Sequence, residues 1–191
     1  MMFTVPAFID AVRSSIASPD PAESVSRLLS EAISQPAAVD AALQAEGLVT
    51  PDRPQYAVLH QSADLTVLHV VLPGGLEGPP HNHLAWVAIG MMRGREESIQ
   101  YRRSGAGLVE TGRQELRAPG VMVLPADAIH RIRNPLAERS HALHVYGGSL
   151  ANPARSLWNP FTMREERFDI AALERYEQEM QRSTASPAAA G

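Results

Sequence analysis

There is no cysteine in the 191 residues. Its absence excludes disulfides, zinc–thiolate sites, iron–sulfur clusters and cysteine nucleophiles. An excess of basic charge is missing as well. Seventeen Lys and Arg stand against 21 Asp and Glu, for a formal net charge of −4, which gives no positive field for nucleic acid. No apolar run approaches the roughly 20 residues of a membrane span. The N-terminal stretch MMFTVPAFIDAVRSSIAS lacks the basic leader and apolar core of a secretory signal. A soluble, cytoplasmic protein without membrane or nucleic-acid partners is the expectation. The length is that of one domain, and 45% hydrophobic residues suffice for a real core.

Read in order, the chain changes character near residue 50. Phe8, Ile9, Val12 and Ile16 lie at helical spacing, and Asp20 before Pro21 is a plausible N-cap for a second stripe of Val25, Leu28, Leu29, Ala32 and Ile33. Ala38 to Glu46 reads as a short third helix ended by Gly47. From Tyr56 come short runs rich in Val and Leu, YAVLH and LTVLHVVL, then LAWVAIGMMRG, EESIQYRR, LVETG, QELRA, VMVLP, IHRIRN and HALHVYG, punctuated by Gly and Pro. Short strands spaced closely by turns predict an all-β sandwich or barrel. From Trp158 the chain reads as irregular, with MREERF a solvated face, and then as a helix with Ile170, Leu173 and Tyr176 on one side. The expected division is a helical flap over 1–50, a barrel over 51–158, a C-terminal segment and helix over 159–182, and a disordered tail over 183–191.

The chemistry concentrates in GPPHNHLAWVAIGMMRGREE. His81 and His83 are two apart, so in an extended strand both imidazoles enter one space and supply half a metal site. A surface His-x-His pair is the plain alternative. Gly90 and Gly94 would let the chain bend back. His130 follows PGVMVLPADAI, with Asn134 four residues on, where a third imidazole can meet the other two across a small barrel. By itself it is also readable as a lone His near a turn. His69 alternates with apolar residues and reads as a core or cleft histidine, and His60 and His141 as surface or loop.

Together the segments resemble the two-part motif of the cupin superfamily, a double-stranded β-helix barrel: Gly78, His81, His83 and Gly94 in the first part, Gly120, Pro125, His130 and Asn134 in the second. The family's usual Glu is absent, since Val87 and Ala88 stand in its place. The resemblance therefore implies a three-histidine site of His81, His83 and His130, for Fe(II), with Zn, Ni or Mn as alternatives. Three neutral imidazoles leave a dication uncompensated, which favours anionic ligands.

SHALHVYGGSL places His144 and Tyr146 on one face of one strand; the ordinary reading is a packed histidine and a strand aromatic. Here the chain is similar to the thiol dioxygenases, cysteine dioxygenase and more closely the 3-mercaptopropionate dioxygenase group. Their Ser-x-His-x-Tyr run directs the Tyr hydroxyl at substrate and oxygen. Ala142 occupies the Ser position, which breaks the outer end of that relay. Arg155, nine residues after Tyr146, matches an Arg that faces the substrate carboxylate, with a surface loop arginine as its rival reading. Gln55 matches the Gln of the mercaptopropionate enzymes, with Arg53 close enough to compete. Ala88 rules out the Cys–Tyr crosslink of the animal enzymes. Trp86, the IGMMRGREE segment and RSLWNPFTMREERFD also look like the bacterial group, and the similarity spans about Gln55 to Asp169.

The resemblance implies an iron(II)-dependent dioxygenase that converts a small mercapto-carboxylic acid to its sulfinate with O2. Such barrels are often homodimers. Two further functions stay open: another metal cupin, acting on a diketone-type carbon substrate or as an isomerase, and a non-catalytic sensor of a metal or small anion.

Overall fold

The computed structural model describes residues 3–48, 55–105 and 107–185. Three helices open the chain: α1 (Val5–Ser15), α2 (Pro21–Ile33) and α3 (Pro36–Ala45). Each starts with proline in its first turn, where the missing N–H costs no hydrogen bond. Asp20 caps α2 as expected, its carboxylate accepting from the Glu23 N–H at 3.1 Å. Gly47, at φ +66°, closes α3 in a conformation that favours glycine.

Eleven strands follow: β1 (Gln55–Gln61), β2 (Thr66–Leu72), β3 (His81–Asn82), β4 (Val87–Arg93), β5 (Arg95–Ser104), β6 (Gly107–Arg117), β7 (Gly120–Leu124), β8 (Ile129–Arg133), β9 (Ser140–Tyr146), β10 (Ser156–Trp158) and β11 (Glu165–Arg167). They form two antiparallel sheets, ordered β1-β2-β9-β4-β7 and β11-β10-β3-β8-β5-β6. Helix α4 (Ile170–Ala185) ends the described chain. The fold is all-β, a double-stranded β-helix barrel of the cupin type with helices at both ends. No helix among the described residues is long and apolar enough to cross a membrane.

The first sheet is apolar on both faces because both are covered. Leu68, Val70, Leu72, Val87, Ile89, Met91, Ala142 and Tyr146 fill the barrel. Val67, Ala88, Leu143 and Val145 face outward and pack against Val12, Val25, Leu29, Ile33 and Leu43 of the helices. The N-terminal helices thus cover the back of this sheet, and none of their residues lines the barrel cavity. Gly90 does not bend the chain. It sits mid-strand in β4, where a Cβ would come within 3.0 Å of Ile33 and 3.2 Å of Leu29, so its bareness lets α2 approach. Gly94, at φ +80°, makes the turn.

Several boundaries differ from the sequence reading. LVETG and QELRA are one continuous strand, β6, because Gly112 is accommodated by a bulge opposite Gln100 and Tyr101. MREERF includes the short strand β11, which pairs with β10. Glu165 there accepts from the Ser156 hydroxyl at 2.6 Å and from two nitrogens of Arg103 at 2.7 and 3.1 Å. His60 and His141 lie in strands and are half-buried, since β1 and β9 each place a neighbour beside them. The expected tail begins inside α4, and its residues 186–191 lie outside the described residues.

Candidate metal centre

β3 is two residues long and lies between β8 and β10. His81 is the cross-strand partner of His130 on one side and of Leu157 on the other. This register puts His130 beside the His-x-His pair although it lies 47 positions after His83 in the chain. The ligand nitrogens of His81, His83 and His130 lie within 4.8 Å of one another, and all three residues are buried. The His81 and His83 Nε2 atoms are 3.1 Å apart. Two nitrogens each about 2.1 Å from one ion lie about 3.0–3.4 Å apart at angles between octahedral and tetrahedral, so the spacing suits a shared metal.

The surrounding hydrogen bonds suit it too. His81 Nδ1 donates to the Pro79 carbonyl at 3.0 Å, which leaves the lone pair on Nε2. His130 Nδ1 lies 3.0 Å from the Ser98 hydroxyl, and its Nε2 is buried without a hydrogen-bond partner among the described residues. Burial lowers the pKa of His81 to about 4 and pushes those of His83 and His130 well below the usual histidine value, so all three are neutral and able to ligate. Val87, at the position of the missing Glu, packs in the barrel core opposite Tyr146. Among the described residues no carboxylate joins the three imidazoles.

His144 and Tyr146 project from β9 into the same cavity, with His144 Nδ1 and the Tyr146 hydroxyl 3.0 Å apart. The Tyr146 ring meets His83 edge-on at a centroid distance of 4.9 Å. Burial raises the Tyr146 pKa, so the phenol keeps its proton. Burial lowers that of His144 to about 3. His144 Nε2 has no hydrogen-bond partner among the described residues, and Ala142, two residues back on the same face, offers it nothing.

Arg155 is no surface residue. It is 5% exposed and lines the cavity. Its Nε donates to the carbonyl of Asn82, the residue between the two histidines, at 3.0 Å, and Nη1 donates to Leu150 O at 2.8 Å. The guanidinium lies over Phe168, 3.7 Å from the ring centroid. Burial lowers its pKa only to about 10, so it is cationic at neutral pH. Gln55 belongs to β1 by its backbone, paired with Val71, but its side chain and the whole of Arg53 lie outside the described residues.

The cavity these groups share measures about 660 Å³. Leu68, Val70, Ile89 and Ile132 are among its apolar walls, and α4 contributes Ile170, Leu173, Glu174 and Glu177. Four participants escaped the sequence reading: Ser98 behind His130, Phe168 beneath Arg155, Glu177 on α4, and Glu96. Glu96 is wholly buried with neither oxygen hydrogen-bonded among the described residues, and burial pushes its pKa up to about 8. Glu96 and Ser98, two apart in β5, share one face, which the structure shows to be the covered one.

The sequence matches no protein-family model. Among solved structures, an uncharacterised protein with a double-stranded β-helix domain from Klebsiella pneumoniae is 17% identical, with 59% of this chain and 91% of that one covered and a TM-score of 0.45. An RmlC-like cupin family protein from Methanocaldococcus jannaschii is 15% identical over 54% of this chain and 89% of its own, at a TM-score of 0.43. A DMSP lyase from Ruegeria pomeroyi is 23% identical over 52% of this chain and 46% of its own, at 0.41. The likenesses are loose, and the fold assignment stands on the strand order and register described above.

Proposed function

We propose that this protein is an iron(II)-dependent thiol dioxygenase that converts a mercapto-carboxylic acid to its sulfinate. The observation that carries this reading is the arrangement of three neutral, buried imidazoles with Tyr146–His144 on one wall and Arg155 tied to the backbone between the first two histidines. His81, His83 and His130 would hold the metal. Bound iron(II) supplies the one-electron chemistry that lets O2 react with a thiolate. Both oxygen atoms end on sulfur, and the thiol proton leaves to solvent as the sulfinate ionises.

The protein's own groups do the rest. Arg155 holds the carboxylate, because its fork keeps N–H donors beyond the two that bind carbonyls. Tyr146, protonated at neutral pH, donates a hydrogen bond to oxygen arriving at the sulfur, and His144 fixes the direction of its hydroxyl. The apolar wall of Leu68, Val70 and Ile89 excludes water.

A second reading is favoured by the cavity itself. Its 660 Å³ and largely apolar lining exceed what a three-carbon thiol needs, and suit a metal-dependent reaction on a carbon substrate such as a diketone. Oxygen uptake by the anaerobically iron-loaded protein, offered 3-mercaptopropionate, cysteine and a thiol-free diketone, separates the two. Consumption of about one O2 per thiol, absent in His81→Ala, is the expected outcome. Uptake with the diketone alone would transfer the site to carbon chemistry, and none at all with iron fully bound would leave a sensor. Arg155→Ala should raise the apparent KM for the thiol acid about ten- to a hundredfold.

A further inference from the structure

Helix α4 presents Ile170, Leu173, Glu174 and Glu177 to the cavity, the i, i+3, i+4, i+7 spacing of a single face. On a helix that merely packs, such a face is apolar. Here half of it is carboxylate. Glu177 is 6% exposed, and its electrostatic neighbours are a second acid, Glu174, and the Tyr56 hydroxyl, with no cation among them. A buried carboxylate without a cation is costly to ionise, and burial pushes this one up to about 7. Among the described residues, no cation on the cavity wall relieves it. The sole Lys or Arg lining the cavity among the described residues is Arg155, whose electrostatic neighbour is the Tyr146 phenol and not Glu177. The cavity wall therefore carries a cation, Arg155, tied to the backbone beside the histidines, and two carboxylates on α4 that are not its partners, with apolar side chains making up most of the rest.

We propose that Glu177, assisted by Glu174, is a specificity determinant that holds an ammonium group of the substrate while Arg155 holds its carboxylate, which makes the substrate a zwitterion longer than a simple mercapto acid. This deepens the function proposed above and rests on the same cavity being the substrate site. The volume agrees, because about 300–1,000 Å³ is the range of pockets for ligands much larger than three carbons.

The test uses probes without sulfur, so that it does not depend on the oxidation chemistry. Hexanoate and 6-aminohexanoate share a carboxylate and an apolar chain and differ in the terminal ammonium. Calorimetric titration of the anaerobic iron-loaded protein should find 6-aminohexanoate bound about tenfold more tightly or better. Glu177→Gln, nearly isosteric, should bring the ratio to about twofold or less with hexanoate affinity unchanged, and Glu174→Gln should lower it by a smaller factor. Arg155→Ala should weaken both probes and leave the ratio intact. Equal affinities in the unaltered protein, no binding of 6-aminohexanoate, or a tenfold preference that survives in Glu177→Gln would overturn the proposal. Failure of the dioxygenase reading would appear elsewhere, as absent oxygen uptake with this ratio preserved.

Discussion

Glu96 has no exposed surface and, among the described residues, no hydrogen-bond partner for either carboxyl oxygen. Its pKa is near 8 when folded against an ordinary value of 4.5, and burial is the cause. Between those values the folded chain keeps a proton that the unfolded chain has released. Stability therefore falls as pH rises through that window, by at most about 1.4 kcal/mol per pH unit, and levels off above it. Glu96→Gln keeps the shape and removes the titration. Its urea midpoint should be flatter than that of the unaltered protein across about pH 5.5 to 8, and higher at the upper end; parallel curves would contradict the assignment. His69 works in the opposite direction. Burial lowers it from 6.5 to about 4, so stability is lost as pH falls below 6.5. A hydroxyl at position 142 would lie on the face of β9 that carries the orphaned His144 Nε2, so Ala142→Ser should stabilise the protein by about 1 kcal/mol, measured as a raised unfolding midpoint. That His81 and His83 share a space was legible in the sequence because alternation in a strand fixes which residues share a face, and the register of β8 against β3 adds His130 to them. Ser98 and Glu96 were not legible, because knowing that β5 is a strand does not say which of its faces is covered, and the charges of EESIQYRR suggest water on both.

The helices differ in what their removal would touch. Leu29 of α2 is fully buried against the back of the first sheet, and no residue of α1–α3 lines the cavity. Leu29→Ala should cost about 2–5 kcal/mol of stability and leave metal affinity unchanged, as urea unfolding and metal titration would check. Gly147 is the reverse case. A Cβ there would lie 2.1 Å from Trp86 ring atoms, and the residue directly follows Tyr146. Gly147→Ala should therefore cost about 1–3 kcal/mol and also disturb the Tyr146 hydroxyl, lowering turnover more than metal content. Element types and the cap at Asp20 could be read from local residues. That α4 walls the cavity could not, because amphipathic spacing identifies a face without naming what it meets. The continuity of β6 through Gly112 was hidden for a related reason, since a bulge in β6 itself, opposite Gln100 and Tyr101, absorbs the glycine without ending the strand.

At the scale of the molecule, the site draws on both sheets: the three imidazoles from the β3–β8 side, His144 and Tyr146 from β9, Arg155 from the segment before β10. Loading with iron(II) or zinc should raise the unfolding midpoint, and chelation should reverse it. Free metal at about a hundred times its Kd is worth about 2.7 kcal/mol. An unchanged midpoint in saturating metal would argue against the three-histidine centre. The shortness of β3 gives this linkage a second meaning. Two residues form its whole ladder, so the backbone alone does little to define its alignment between β8 and β10. A slip of one residue would turn Asn82 inward in place of His81 and send both imidazoles of the pair to the opposite face. Only the correct alignment brings the three imidazoles together. A metal held by them would thus act as a proofreader of assembly, adding its binding energy only to the barrel whose shortest strand is in frame.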